Sequence, residues 1–88
     1  MDTTIPTGKD AHNSAVAAMF RARKAELRIT FDALEAATGL KQQTLKRLVN
    51  DHRPIHIGDF MSVAFALELD PAAVIDAAEA RVKLAHRD

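Results

Sequence analysis

Two adjacent amides and two cations lie close together near the middle of this chain. They are Gln42, Gln43, Lys46 and Arg47. On an α helix, steps of one, four and five residues stay within about 140° around the axis, so these side chains share one outward face. A glutamine amide matches N6 and N7 of adenine, and the arginine fork matches O6 and N7 of guanine. The spacing therefore predicts a surface that contacts the bases of duplex DNA.

Polar residues on and around this segment are suited to contact the phosphate backbone. Hydroxyl, amide, imidazole and cationic side chains donate hydrogen bonds to phosphate oxygens and so position a protein on the duplex. We expect backbone contacts from Thr30, Lys41, Thr44, Asn50, His52 and Arg53. Two alternatives stay open, because Thr44 could instead touch a thymine methyl group or pack, and Lys46 could reach a base or a phosphate.

The distribution of charge favours an anionic partner, although the formal net charge of the 88 residues is zero. Residues 21–53 contain eight Lys/Arg and four Asp/Glu, a net charge of +4, and the rest of the chain carries −4. Such asymmetry gives one part of the molecule a positive field while the other part stays acidic. The alternative interpretation is a chance fluctuation in which each cation lies on a solvated helix face.

The elements that must hold these residues are predicted to be helices. No segment combines strand-like alternation with β-branched residues, so the fold class is all-α, and 88 residues suffice for one domain. Residues 1–13 lack apolar periodicity and are predicted to be a flexible N-terminal arm. A first helix then begins at Ser14, with Asn13 or Ser14 as its cap.

Four further helices follow from capping and stop signals. Thr30 is the expected cap of a second helix that ends before Gly39, a residue that adopts a left-handed conformation without steric cost. A third helix covers about residues 42–50 and turns Leu45, Leu48 and Val49 inward. A fourth is predicted for residues 57–69 and a fifth for residues 71–86. The second and third helices, joined by a tight turn, form a helix-turn-helix over residues 30–50.

Residues 30–51 resemble the helix-turn-helix of the Cro and phage-repressor family, the XRE-like regulators. The matching positions are Leu34, Gly39, Gln42, Gln43, Leu45, Leu48 and Asn50, and the similarity continues through Ala64, Leu67, Asp70 and Pro71. It covers roughly residues 14–80. The resemblance implies a compact five-helix, lambda-repressor-like domain in residues 14–88. It also implies a transcriptional repressor, a phage immunity repressor or Cro-like protein, that binds operator DNA in the cytoplasm of a bacterial or phage-infected cell.

The chain departs from the family pattern in three places. Phe31 stands where the family commonly has a glutamine that contacts phosphate. Glu35 occupies a position usually held by a small residue, so its carboxylate is expected to turn outward. Lys24 and Val49 replace an Arg and Glu that many members pair, so no ion pair is expected between those two positions.

The last predicted helix offers an apolar stripe that could join two copies of the chain. The stripe consists of Val74, Ile75, Ala78 and Val82. We expect part of it to close the core and the remainder to form the interface of a homodimer on DNA. Two-fold symmetry would place the third helices of the two copies one turn of the DNA duplex apart, on a palindromic site. The alternative is a helix that simply frays at its end.

Two other functional classes compete with this interpretation. An enzyme or metal site has few candidates, because the chain has no Cys and Pro54 separates His52 from His56. We therefore expect no catalytic residue, metal, cofactor or small-molecule ligand, and no membrane span. A protein-interaction module of the same fold, such as an antitoxin that binds a protein partner, would not need the amides and cations of residues 42–47.

Overall fold

A long first helix provides the scaffold against which the shorter helices pack. In the computed structural model, which describes residues 8–85 and their side chains from residue 11 onward, α1 spans Gly8–Leu27. It is followed by α2 (Phe31–Thr38), α3 (Gln42–Val49), α4 (Ile57–Ala66) and α5 (Pro71–Ala85). Regular structure within residues 8–85 is entirely helical. The expected all-α architecture of five helices is thus confirmed.

Helix α1 begins earlier than the sequence pattern predicts. Asn13 and Ser14 lie inside α1, so neither caps it. Ala11 is already buried, which shows that the helix starts to contribute to the core before residue 14. The predicted arm was therefore wrong for residues 8–13, and residues 1–7 of that prediction lie outside the described part of the chain. Intrinsic helix propensity does not explain this start, because residues 8–13 include a single alanine; the burial of Ala11 and the hydrogen bonds of Asn13 to the loop after α3 stabilise this turn instead.

All five helices contribute to one hydrophobic core. Its largest fully buried side chains are Phe20, Leu34, Leu45, Leu48, Val49, Val63, Leu67 and Val74. The rings of Phe20 and Phe60 stack with their centroids 5.8 Å apart, which joins α1 to α4. Burying a side chain of this size contributes about 1.5–3 kcal/mol relative to leaving it exposed. Helices α2 and α3, with eight residues each, depend on this packing because isolated helices of such length are unstable in water.

The turn between α2 and α3 forms as predicted. The Thr30 hydroxyl oxygen accepts a hydrogen bond from the backbone N–H of Ala33 at 3.1 Å, which caps α2. Gly39 has φ +78° and donates its N–H to the carbonyl of Glu35 at 2.8 Å. This is the left-handed ending that glycine favours, and it directs the chain into α3.

Three other helices end on left-handed residues that are not glycine. These are Arg28 after α1, Asp51 after α3 and Glu68 after α4, with φ of 57°, 62° and 59°. In each case the following residue donates its N–H to the carbonyl five positions earlier, the pattern of a Schellman ending. After α4, Leu69 donates to Ala64 at 2.8 Å, so the helix stops at Ala66 and not at residue 69 as predicted.

Half of the apolar stripe predicted for a dimer interface belongs to the core. Val74 and Ala78 are buried against the rest of the chain, so they are the part of the stripe that closes the core, as expected, and they are removed from the set of four residues assigned to a dimer interface. Ile75 remains 48% exposed and Val82 is half-buried, which leaves these two side chains accessible to a partner. The reason is size, because a small domain needs most of its apolar residues to close a single core.

Replacing Glu68 by Gly should stabilise the protein. A left-handed conformation costs a residue with a Cβ about 1–2 kcal/mol, whereas glycine loses about 0.5–1 kcal/mol more chain entropy on folding. We expect E68G to raise the free energy of unfolding by about 0.5–1 kcal/mol in urea denaturation. The matched control is A80G, an exposed position inside α5, which should lower it by about 1 kcal/mol. Equal destabilisation by both variants would contradict the assignment of the α4 ending.

Candidate nucleic-acid interface

Helix α3 has one buried face and one polar exposed face. Leu45, Leu48 and Val49 are buried in the core. Gln43, Lys46 and Arg47 point outward and are exposed, as the helical spacing predicts. One side of this eight-residue helix therefore packs into the core, and the opposite side is available to a partner.

Gln42, the remaining predicted base contact, is half-buried and already hydrogen-bonded within the chain. Its amide nitrogen Nε2 donates to Oδ1 of Asp32 and, at 3.2 Å, to Oε1 of Glu35. Glu35 is exposed, which confirms that its carboxylate turns outward from the crossing of α2 and α3. The structure therefore brings Gln42 together with two acids that were not predicted to belong to the site.

These two carboxylates change the electrostatics at the N-terminus of α3. The N-terminus of a helix attracts anions, and Lys41 at the N-cap position makes no side-chain capping hydrogen bond. Asp32 and Glu35 place negative charge beside the first turn through their hydrogen bonds with Gln42. These acids interact favourably with the helix dipole but repel phosphate, so they weaken the backbone contact that the sequence predicts for Lys41 at this end.

The ring of Phe31 contacts two lysine side chains beside the outward face of α3. The ammonium nitrogen of Lys24 lies 4.2 Å from the centroid of the Phe31 ring, and that of Lys46 lies 5.6 Å from it. Both distances fall within the range of cation–π attraction. The Phe31 side chain cannot donate a hydrogen bond to phosphate, but its ring holds two cations beside α3. No local spacing signals this cluster, because its members come from three helices.

The residues predicted to contact the DNA backbone surround α3. Thr30, Lys41, Asn50 and His52 are exposed, whereas Thr44 and Arg53 are half-buried. Thr30 uses its oxygen as the α2 cap and keeps its hydroxyl proton for another acceptor. Asn50 and His52 lie at the C-terminal end of α3, where the N–H of His52 bonds to the carbonyl of Arg47 at 2.8 Å. Within the set, Lys41 lies at the N-terminal end of α3, Thr44 lies inside the helix, and Thr30 lies at the start of α2. The remaining three residues follow the C-terminal end of α3, namely Asn50, His52 and Arg53.

Two polar residues of α1 fix the loop that follows α3. Asn13 donates to Asp51 Oδ1 at 2.9 Å and to the carbonyl of Arg53 at 3.2 Å, and its own oxygen accepts from the N–H of Ile55 at 2.7 Å. Ser14 adds a hydrogen bond to the other oxygen of Asp51 at 2.5 Å. Sequence reasoning missed this contact, since it interpreted Asn13 and Ser14 as caps and their partners lie about 40 residues away.

Two arginines of α1 bind the free carbonyls at the ends of other helices. Arg21 donates to the carbonyl of Val49 at 2.5 Å, and Arg23 donates to the carbonyl of Leu67 at 3.0 Å. A cation is favourable at a helix C-terminus, where carbonyls lack helical partners. Sequence analysis counted both arginines only as part of the basic region, yet they also hold α3 and α4 in place.

Other chemistries find little support among the described residues. In residues 11–85, no group of three or more metal-binding side chains is placed to hold an ion. His52 lies in the loop after α3 and His56 precedes α4, so they do not share a helix. No helix of the described part is both long enough and apolar enough to cross a bilayer. The absence of an enzymatic activity stays a prediction.

Comparisons with protein-family models, curated proteins and solved structures give no match for this chain. The resemblance to the Cro and phage-repressor family therefore rests on the residues named above.

Replacing Asn13 by Ala should destabilise the fold through the loop after α3. The variant loses three hydrogen bonds and leaves the half-buried N–H of Ile55 without its partner. We expect a loss of about 1–3 kcal/mol in the free energy of unfolding, measured by urea denaturation. The control N50A changes an exposed asparagine at the end of α3 and should stay within about 0.5 kcal/mol of the parent. Equal losses would contradict this role of Asn13.

A double-mutant cycle should detect the attraction between Lys24 and Phe31. The single variants K24M and F31L keep apolar bulk, and the double variant removes both the cation and the ring. We expect a coupling of about 0.5–1 kcal/mol in the free energy of unfolding, as for cation–π pairs near the surface. If the effects of the two single variants on the free energy of unfolding simply add, the 4.2 Å contact between the Lys24 ammonium and the Phe31 ring does not stabilise the fold.

Proposed function

We propose that this chain binds double-stranded DNA in a sequence-specific manner and acts as a transcriptional repressor. In this proposal α3 enters the major groove. Gln43 and Arg47 contact base edges, Gln42 contacts a base at the start of the helix, and Lys46 contacts a base or a phosphate. Repression follows from occupancy, because a protein bound over a promoter excludes polymerase.

The observation that carries the proposal is the exposed polar face of α3. Gln43, Lys46 and Arg47 project from one side of a helix whose other side is firmly packed, and α2 and the Gly39 turn precede it. Packing on one side fixes the direction of the side chains on the other, as base recognition requires. A purely structural helix needs no such group of amides and cations.

Surrounding charges support a partner that is a polyanion. Lys24 and Lys46 meet at Phe31, Lys41 precedes α3, and Arg53 follows it. Cations in such positions displace counterions from phosphates and contribute affinity that falls with salt. The two acids that bind Gln42 oppose this attraction locally, so we expect the phosphate contact of Lys41, at the same end of α3, to be weaker than those at the other end of the helix.

The wider biological setting belongs to the same proposal. Membership of the Cro and phage-repressor family and a phage or bacterial origin are inferred from the resemblance of residues 30–51, and a cytoplasmic location is proposed because a chain without Cys fits a reducing compartment. Homodimerisation on a palindromic operator is proposed through Ile75 and Val82, the two members of the α5 stripe that the core leaves accessible.

A second candidate function is a protein-interaction module, such as an antitoxin of the same fold. It is favoured by a groove of about 520 Å³ that is bordered by α1, the loop before α4, the start of α4 and one residue of α5. Its lining is mainly apolar, with two polar residues of α1, and consists of His12, Asn13, Val16, Pro54, Ile55, Ile57, Phe60 and Ile75. Ile57 is 73% exposed, and Phe65, two helical turns further along α4, is 62% exposed. Exposed apolar surface of this kind commonly marks a protein interface.

Alanine variants of the α3 face discriminate between the two candidates. After an operator has been selected from random duplexes, we expect Q43A and R47A each to lower affinity about 5- to 150-fold, the range of a lost bidentate base contact. K46A should also reduce the dependence of log affinity on log salt by about one unit if Lys46 contacts a phosphate. Fluorescence anisotropy measures both quantities.

The control is R81A, which removes the same charge from an exposed position on α5. Circular dichroism should show that all variants keep their helical content. Unchanged DNA binding by Q43A and R47A, in proteins that remain folded, would contradict the proposed function and favour the interaction module.

A further inference from the structure

The side-chain amide of Gln42 has a defined orientation that limits what it can recognise. Its partners are the carboxylates of Asp32 and Glu35. An ionised carboxylate only accepts hydrogen bonds, so the group facing these acids has to be the NH₂ and not the carbonyl. The assignment of nitrogen and oxygen in Gln42 therefore rests on the chemistry of its partners.

The hydrogen bonds to the two acids use both protons of the Gln42 amide. An NH₂ group has two donors, and one is directed to each carboxylate. The carbonyl Oε1, with two acceptor lone pairs, is the part of the amide that remains available. At the N-terminus of α3, Gln42 thus presents an acceptor without an accompanying donor.

Bidentate recognition of adenine requires both a donor and an acceptor, and in this orientation only the acceptor of Gln42 is available. The amide would have to donate to N7 of adenine while it accepts from N6. Gln42 would first have to break a hydrogen bond to a carboxylate, and charge-assisted bonds are roughly twice as strong as neutral ones. An exchange of a charged acceptor for the neutral N7 is unfavourable while Asp32 and Glu35 remain nearby.

We infer that Gln42 reads one base as an acceptor only and selects an amino base, adenine or cytosine, over guanine or thymine on the contacted strand. Adenine N6 and cytosine N4 are the amino donors of the major groove, whereas guanine O6 and thymine O4 are acceptors that would repel Oε1. Asp32 and Glu35 are positioning residues in this account, because they act by orienting Gln42. The inference rests on the proposed function and refines the specificity of the same site.

Modified bases separate this inference from ordinary adenine recognition. The base pair read by Gln42 is first located as the position whose preference disappears in Q42A. There we expect selection to enrich both adenine and cytosine. In an operator carrying adenine, removal of the N6 amino group with unsubstituted purine should lower affinity about ten-fold, whereas 7-deaza-adenine, which lacks N7, should bind within about two-fold of adenine.

Releasing Gln42 should change its specificity. In D32A/E35A the NH₂ is free, so we expect the preference to narrow to adenine and sensitivity to 7-deaza-adenine to appear. The control D76A/E79A removes two exposed acids from α5, with the same change in net charge, and should keep the preference for both amino bases. The readout is a ratio between bases, so a general gain in affinity from lost repulsion does not affect it.

Nuclear magnetic resonance tests the orientation without DNA. The two side-chain amide protons of Gln42 should exchange more slowly with solvent than those of exposed Gln43, and this difference should vanish in D32A/E35A. Equal exchange of both glutamines in the parent protein would overturn the inference. So would an operator position that accepts adenine alone and loses affinity with 7-deaza-adenine, while the proposed function stands. A protein that retains no duplex at all contradicts the proposed function itself.

Discussion

The burial of Leu45, Leu48 and Val49 is the constraint on which the rest of the structure depends. Helix α3 is too short to be stable alone, so these three side chains have to be covered by the other helices for it to exist at all. Once they are covered, the rotation of the helix about its axis is fixed. The outward direction of Gln43, Lys46 and Arg47 is then a consequence of core packing on the opposite side of the helix.

Polar side chains of α1 restrain the loop after α3 and the C-terminal ends of α3 and α4, which apolar packing alone does not hold in place. Asn13 and Ser14 fix the loop after α3, and Arg21 and Arg23 bind the carbonyl ends of α3 and α4. Directional hydrogen bonds of this kind restrain the ends of a helix, which hydrophobic contact alone leaves free to slide. Some basic residues of this chain therefore hold other helices in place, so the net charge by itself does not show which cations are available to a partner.

The sequence predicted the parts of the fold that depend on local signals. Thr30 and Gly39 mark the limits of α2, and the spacing of Leu45, Leu48 and Val49 predicts the inward face of α3. The start of α1 was misplaced because Asn13 resembles a cap, although its partners lie in a distant loop. The environment of Gln42 was also missed, because its hydrogen bonds to Asp32 and Glu35 depend on how α2 crosses α3 and not on its spacing within α3.

The central claim is that α3 reads DNA sequence, and selection from a pool of random duplexes across a series of salt concentrations tests it most directly. The account predicts that affinity falls as salt rises while a defined motif is enriched at every salt concentration, because phosphate contacts are screened and base contacts are not. A motif with two-fold symmetry would also report the spacing of two α3 helices. Weak, salt-sensitive retention without any enriched motif would contradict the claim, because it would mean that the outward face of α3 distinguishes no bases.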